Sequence, residues 1–121
     1  MYSRQSKKKN GNRKKNFFEK LNDIIISNIK TNITIDKIAT ELFISKSALD
    51  KKIRRDKQMN TTTYIRQLRI EYAIRLIEAG ETNVQQLTEA CGFNSLSYFS
   101  ISFKGYTNTS PKSYIKKRNI N

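Results

Sequence analysis

Four polar side chains share one face of a predicted helix over residues 46–57, KSALDKKIRRDK. They are Lys46, Ser47, Asp50 and Lys51, and they lie opposite Leu49 and Ile53, which an amphipathic helix turns towards the core. A lysine can donate to guanine O6 and N7 in the major groove of DNA, and a carboxylate can accept from cytosine N4. We therefore predict that this face contacts base edges. The competing interpretation is an ordinary solvated helix surface.

A second predicted helix, LSYFSISFKGY from residue 96, presents a less polar face. Its outward residues are Leu96, Ser97, Ser100 and Ile101. Hydroxyls can bond to either class of base, and aliphatic side chains can contact the methyl group of thymine. The pattern predicts an AT-rich contact site, or a looser contact made mostly to phosphate.

Other residues lie at the starts and flanks of these two segments, where contacts to phosphate are expected. They are Ser45, Lys52, Arg54, Arg55, Ser95 and Lys104. Arg54 also shares the outward face of the first segment, where an arginine could donate to guanine instead.

The elements that position these faces form an internal repeat. In each copy a short helix, a tight turn and a longer helix follow one another, and Leu49 and Ile53 recur fifty residues later as Phe99 and Phe103. Thr34 and Ser45 are predicted N-caps of the first copy. In the second copy we expect Asn83, in a capping box with Gln86, and Asn94 or Ser95. A repeat at fixed spacing indicates one supersecondary unit used twice.

A single predicted helix over residues 61–79, TTTYIRQLRIEYAIRLIEA, joins the two copies, with Asn60 as its predicted N-cap and Gly80 as the glycine that ends it. Its apolar face is broad, with Tyr64, Ile65, Leu68, Tyr72, Ala73, Ile74, Leu76 and Ile77. We predict an all-α fold of about seven helices: residues 17–60 as the first helix-turn-helix subdomain (the first unit), 61–79 as the connecting helix, and 80–121 as the second subdomain (the second unit). Residues 1–16 are predicted to be a disordered basic arm or linker.

Charge narrows the choice of partner. The chain carries 24 Lys and Arg against 10 Asp and Glu, a net +14, and seven of those cations lie in residues 1–16 without an acid. The remaining residues are therefore basic as well, which favours a polyanion as partner, with nucleic acid ahead of a membrane surface. The repeated helix-turn-helix unit makes double-stranded DNA the expected nucleic acid. A non-specific architectural nucleic-acid binder is the main alternative.

Several other classes of function are disfavoured. The chain has no histidine, and its single cysteine, Cys91, occupies the position that repeats the apolar Leu42. An enzyme, a metal site and a bound cofactor are therefore not predicted. No apolar run is long enough for a membrane span and no signal peptide is evident, so a cytoplasmic location is expected.

With these residues in view, the chain resembles the DNA-binding domain of the AraC/XylS family of bacterial transcription regulators, from about residue 17 to 117. The resemblance is carried by IDKIATELFISKSAL, YIRQLRIEYAIRLI, GFNSLSYFSISFK and SPKSYIKK. Its most specific part comprises Gly92, Phe93, Tyr98, Phe99, Phe103, Lys104 and Pro111. Gln58 and Asn108 stand where the family usually has glycine.

The resemblance implies a seven-helix fold, binding of promoter DNA, and activation through RNA polymerase. The family's base-contacting positions correspond to Ser47, Asp50 and Lys51 in the first unit, and to Leu96, Ser97, Ser100 and Ile101 in the second. The family normally carries a further sensing or dimerising domain. The basic segment followed by FFEKLNDII is similar to the link between receiver and output domains in hybrid two-component regulators. We therefore expect either a stand-alone regulator or, preferably, the output end of a longer chain with a sensor or receiver domain.

Overall fold

The computed structural model of the chain describes residues 14–31 and 33–120, and all regular structure in this part is helical. The helices are α1 (Phe17–Ser27), α2 (Ile35–Glu41), α3 (Lys46–Lys57), α4 (Thr61–Glu78), α5 (Val84–Ala90), α6 (Leu96–Thr107) and α7 (Pro111–Ile120). The predicted all-α fold with two helix-turn-helix copies is confirmed. Of the predicted arm, residues 1–13 lie outside the described residues. Asn16, the last residue of that predicted arm, is the N-cap of α1.

Two apolar clusters divide the interior. The first joins α1, α2, α3 and the first half of α4, and its buried members are Leu21, Ile25, Ile38, Ala39, Leu49, Ile53, Tyr64, Ile65 and Leu68. The second joins the other half of α4 to α5, α6 and α7 through Ile70, Ala73, Ile77, Leu87, Cys91, Phe93, Phe99, Phe103 and Ile115. Helix α4 therefore contributes to both interiors.

The apolar face predicted for α4 agrees only in part with its buried residues. Ile70, which we did not predict to be buried, is 1% exposed in the second cluster. Tyr72, Ile74 and Leu76 only border that cluster. The buried surface changes sides midway along the helix because α4 packs on two different cores, so a single amphipathic stripe describes it poorly.

Side-chain caps begin the helices where the sequence predicts them. Thr34, Ser45, Asn60 and Ser95 each accept from the backbone amide three residues later. Asn83 caps α5 as predicted, because its Oδ1 accepts from the Gln86 N–H at 2.9 Å. The reciprocal bond of the expected capping box is not formed, since the Asn83 N–H donates to Glu81 Oε2 at 2.9 Å and not to Gln86. A capping box is formed instead at the start of α1, between Asn16 and Glu19.

Left-handed backbone ends both α3 and α6. Gln58 has φ 57° and Asn108 has φ 65°, at the two positions where the resembled family usually has glycine. Asparagine adopts this conformation more readily than glutamine does. The turns between the paired helices also use positive φ, at Phe43 (61°) and Gly92 (79°).

Candidate nucleic-acid interface

The outward face of α3 keeps three of its four predicted base-contacting residues exposed: Lys46, Ser47 and Lys51. Lys46 Nζ lies 3.5 Å from Asp36 Oδ1 on α2, a pair that is well exposed on both sides. An exposed ion pair of this kind contributes little to stability, so Lys46 can exchange this partner for another anion.

Asp50, the fourth residue of that face, is already engaged. Its Oδ1 accepts from the Thr61 backbone N–H at 3.0 Å and from Thr61 Oγ1 at 2.9 Å. Its Oδ2 accepts from Arg54 Nε at 2.6 Å. The hydrogen bond from Arg54 and those from Thr61 lower the pKa of the Asp50 carboxyl, so it is ionised. Asp50 thereby joins α3 to the first residue of α4.

The predicted phosphate-contacting residues of α3 point in different directions. Arg54 is exposed next to Asp50, and Arg55 Nε donates to Asp56 at 3.1 Å. Lys52 lies over the ring of Phe17 on α1, 4.8 Å from its centroid. Lys52 is therefore directed towards the side of α3 that faces α1, while Arg54 stays beside the outward face.

The outward face of α6 is apolar and open. Leu96 is 44% and Ile101 72% exposed, Ser97 is exposed, and Ser100 is half-buried. Lys104 is exposed beyond them. Two aliphatic side chains of this size on a helix surface are available to an apolar partner group such as a thymine methyl.

Two tyrosines flank this face, and the sequence pattern does not indicate either as a surface residue. Tyr98 Oη accepts from Arg66 Nη1 at 3.2 Å, and Tyr106 Oη donates to Glu71 at 2.6 Å. The bond to the Glu71 carboxylate raises the pKa of Tyr106 to about 12. Both bonds fasten α6 to α4. The available sequence signal for this role was the eight-residue spacing of Tyr98 and Tyr106, which places both on one side of α6.

Ser45 and Ser95 serve as the caps of α3 and α6. Their Oγ atoms accept from the Ala48 N–H at 3.0 Å and the Tyr98 N–H at 3.1 Å. Because a hydroxyl also carries a donor, each serine can still donate to a phosphate oxygen.

Three neighbouring surface depressions lie along α4 between the two outward faces. One is lined by Lys46, Ser47, Lys51 and Arg54 of α3 together with Thr62 of α4. Another is lined by Tyr98, Ile101 and Tyr106 of α6 together with Arg66 of α4. Thr62 and Arg66 both also line the third depression. The sequence pattern of α4 indicates only a packing element, so it does not distinguish these two residues as part of a surface site.

Cys91 lies outside these depressions, fully buried in the second cluster. Burial raises the pKa of its thiol to about 12, which opposes the thiolate that nucleophilic chemistry needs. Within residues 14–31 and 33–120, no group of His, Cys, Asp or Glu side chains could hold a metal ion. None of the described helices is long and apolar enough to cross a membrane.

Known proteins share this architecture. A family model described as a helix-turn-helix domain matches residues 38–117. The transcriptional regulator SirC of Salmonella typhimurium is 31% identical over 101 residues, which are 84% of this chain and 34% of SirC. A DNA-binding transcriptional dual regulator from Escherichia coli K-12 superposes with a TM-score of 0.78 at 27% identity, covering 89% of this chain and 96% of that one. ToxT from Vibrio cholerae superposes with a TM-score of 0.76 at 32% identity, covering 83% of this chain and 36% of ToxT.

The chain therefore belongs to the AraC-type family of helix-turn-helix DNA-binding domains found in transcription regulators. It spans about a third of the length of the curated relatives that it matches.

Proposed function

We propose that this chain is a sequence-specific double-stranded DNA-binding regulator of transcription that inserts α3 and α6 into successive major grooves. The observation that carries the proposal is that three neighbouring depressions, which share the lining residues Thr62 and Arg66, lie along α4 between the outward faces of both helices. Successive major grooves on one side of B-DNA are about 34 Å apart, so one molecule would cover roughly two turns. A closer spacing of the two helices would require the DNA to bend.

The two faces would contact DNA differently. Lys46 and Lys51 can donate to guanine from α3, with Ser47 beside them. The carboxylate oxygens of Asp50 accept hydrogen bonds from Thr61 and Arg54. We therefore propose that Asp50 positions α3 and does not accept from cytosine. Because Arg54 bonds to Asp50 through Nε, its two Nη groups are available to a phosphate or a guanine.

From α6, Leu96 and Ile101 would contact thymine methyls, while Ser97 and Ser100 would bond to base edges. Ser45, Arg55, Ser95 and Lys104 would contact phosphates. Lys52 would reach a phosphate only after leaving the Phe17 ring.

We also propose that the two subdomains meet the connecting helix at its two ends, with residues 61–79 as that helix. In the cell, the protein would be cytoplasmic and would activate transcription by contact with RNA polymerase. A sensor or receiver domain would belong to the full-length protein, which accords with the fraction of SirC that the chain spans.

Selection of bound sequences from a random DNA pool, followed by footprinting, tests the proposal. We expect one enriched asymmetric sequence, protected over about 20 base pairs, with an AT-rich half. Lys51→Ala should weaken binding to it about tenfold or more. Lys20→Ala, on α1 and outside the three depressions, is the matched control and should have little effect. Enrichment of no sequence, or protection of a single groove, would contradict the proposal.

A non-specific architectural binder is the second candidate, and the net charge of +14 favours it. Competition separates the two functions. A specific regulator retains one labelled site against excess random DNA at physiological salt, whereas an architectural binder loses it in proportion to competitor.

A further inference from the structure

Arg69, near the middle of α4, joins segments from both units. Its Nη1 donates to the backbone carbonyl of Ile29 at 2.6 Å and to that of Cys91 at 2.8 Å, and its Nη2 donates to Thr31 O at 3.4 Å. Ile29 and Thr31 follow the end of α1 in the first unit, and Cys91 is the C-cap of α5 in the second. One guanidinium thus bonds to carbonyls that are far apart in sequence.

The Arg69 guanidinium, which forms this bridge between the two units, belongs to a half-buried side chain. Burial lowers the pKa of Arg69 from its usual value, although the side chain stays charged. The acceptors at Ile29 and Cys91 lie just beyond or at a helix end, where carbonyls lack a partner within the helix. A planar guanidinium can serve several such carbonyls in fixed directions, whereas an ammonium group imposes no comparable geometry.

Gly92 shows how closely the two units approach at this point. A Cβ at this position would overlap Arg69 Nη1 and the carbonyl of Ile29. The turn that leads into α6 therefore rests directly on the bridge. Because α6 begins only at Leu96, movement of this turn would move the start of α6.

We propose that Arg69 is a positioning residue that fixes the orientation of α6 relative to α3, and so sets the number of base pairs between the two DNA contacts. This inference rests on the proposed function. The apolar contacts of α4 with the second cluster, at Ile70, Ala73 and Ile77, are not directional. Directional contacts come from hydrogen bonds: those of Tyr98 and Tyr106 join α6 to α4, whereas those of Arg69 reach carbonyls of both units.

The first test varies the spacing within the selected DNA site. Inserting or deleting one base pair between the two halves rotates one half by about 35° and shifts it by about 3.4 Å. The wild-type protein should lose about tenfold or more in affinity for each such change. Arg69→Met should reduce that discrimination to about threefold while keeping the base preferences of each half.

Arg75→Met is the matched control, because Arg75 lies on the same helix but packs over the Tyr72 ring and not between the units. It should retain the wild-type spacing preference. An unchanged spacing preference in Arg69→Met would overturn the inference.

A second test needs no DNA and uses the milder Arg69→Lys, in case Arg69→Met unfolds. Spin labels at Ser47→Cys and Ser97→Cys report the distance between α3 and α6, since both serines are exposed and Cys91 is buried. We expect one narrow distance distribution for the otherwise wild-type protein and a broader one with Arg69→Lys. Identical distributions would refute the positioning role. Failure of the wild type to select any DNA sequence would instead count against the proposed function.

Discussion

The two units are built on one plan but fix their longer helix in different ways. In the first unit, the Asp50 carboxylate joins α3 to the start of α4 through Thr61. The equivalent residues of the second unit are Ser100 and Pro111, and proline has no N–H to donate. Helix α6 is fastened instead by Tyr98 and Tyr106, which bond to α4. A repeated fold can therefore retain its geometry while its polar contacts are replaced.

The surfaces of the two longer helices differ more than their interiors. Lys46 and Lys51 of α3 correspond to Leu96 and Ile101 of α6. The buried positions remain apolar in both, as Leu49 and Phe99 illustrate. On the proposed function, the first unit supplies most of the electrostatic attraction, and the second adds apolar contacts to bases.

The largest expected effect is a loss of stability on substitution of Gly92, in the turn before α6, compared with Gly80, in the turn after α4. Gly92→Ala should destabilise the protein by about 3 kcal/mol or more, because it adds both left-handed strain and overlap with Arg69 and Ile29. Urea unfolding measures the change. Gly80→Ala is the matched control, since Gly80 also has positive φ but open space around it, and should cost only the strain, about 1–2 kcal/mol. Equal losses in the two variants would show that the close approach does not matter.

Exchanging charge between the two surfaces should change DNA binding by about 1–3 kcal/mol. Lys51→Ile should weaken binding and reduce the slope of log affinity against log salt by up to about 1. Ile101→Lys should steepen that slope and reduce the preference for AT pairs in the second half-site. Fluorescence anisotropy at several salt concentrations measures both effects. A salt slope unaffected by either substitution would contradict the comparison.

The turn of the first unit should respond oppositely to that of the second. Phe43 has φ 61° and is 94% exposed, so it has left-handed strain and little burial to offset it. Phe43→Gly should stabilise the protein by about 1 kcal/mol. Phe43→Ala keeps the strain and removes only the ring, so its unfolding midpoint should remain close to that of the wild type. A loss of stability in Phe43→Gly would mean that the ring makes a contact that stabilises the fold.

The smallest effect is expected at Asp50, which lies near the surface. Its pKa is lowered in the folded state, so its contribution to stability is complete above the unfolded value of about 3.9 and is lost as the pH falls through the lower folded value. Wild type should therefore exceed Asp50→Asn in urea resistance at pH 7, and the difference should vanish near pH 2. Ser100→Ala, at the equivalent position, should show no such pH dependence. A difference that persists at pH 2 would contradict this account.

Much of the fold could be predicted because its signals are local. The caps Thr34, Ser45 and Asn60 act on amides three residues away, and helical periodicity identifies Phe99 and Phe103 as buried. The turn in which Gly80 follows α4 was predictable for the same reason, and its N–H donates to Ile77 O at 3.0 Å.

The candidate site was less predictable, because exposure on a helix does not reveal which polar groups are already bonded. Asp50 shares the outward face with Lys51, and nothing in the spacing distinguishes their roles. Thr62 and Arg66 belong to the candidate site only because the folded chain brings them beside residues of α3 and of α6, respectively.

The sequence by itself determined the helices, their order, their repetition and the sign of the surface charge, since each depends on composition or on residues within one or two helical turns. Tertiary structure decided which polar residues hold the units together. Thr61 lies eleven positions from Asp50, and Arg69 lies forty from Ile29. Contacts over such separations exist only once the chain has folded, because only the packed helices bring those donors and acceptors within bonding distance.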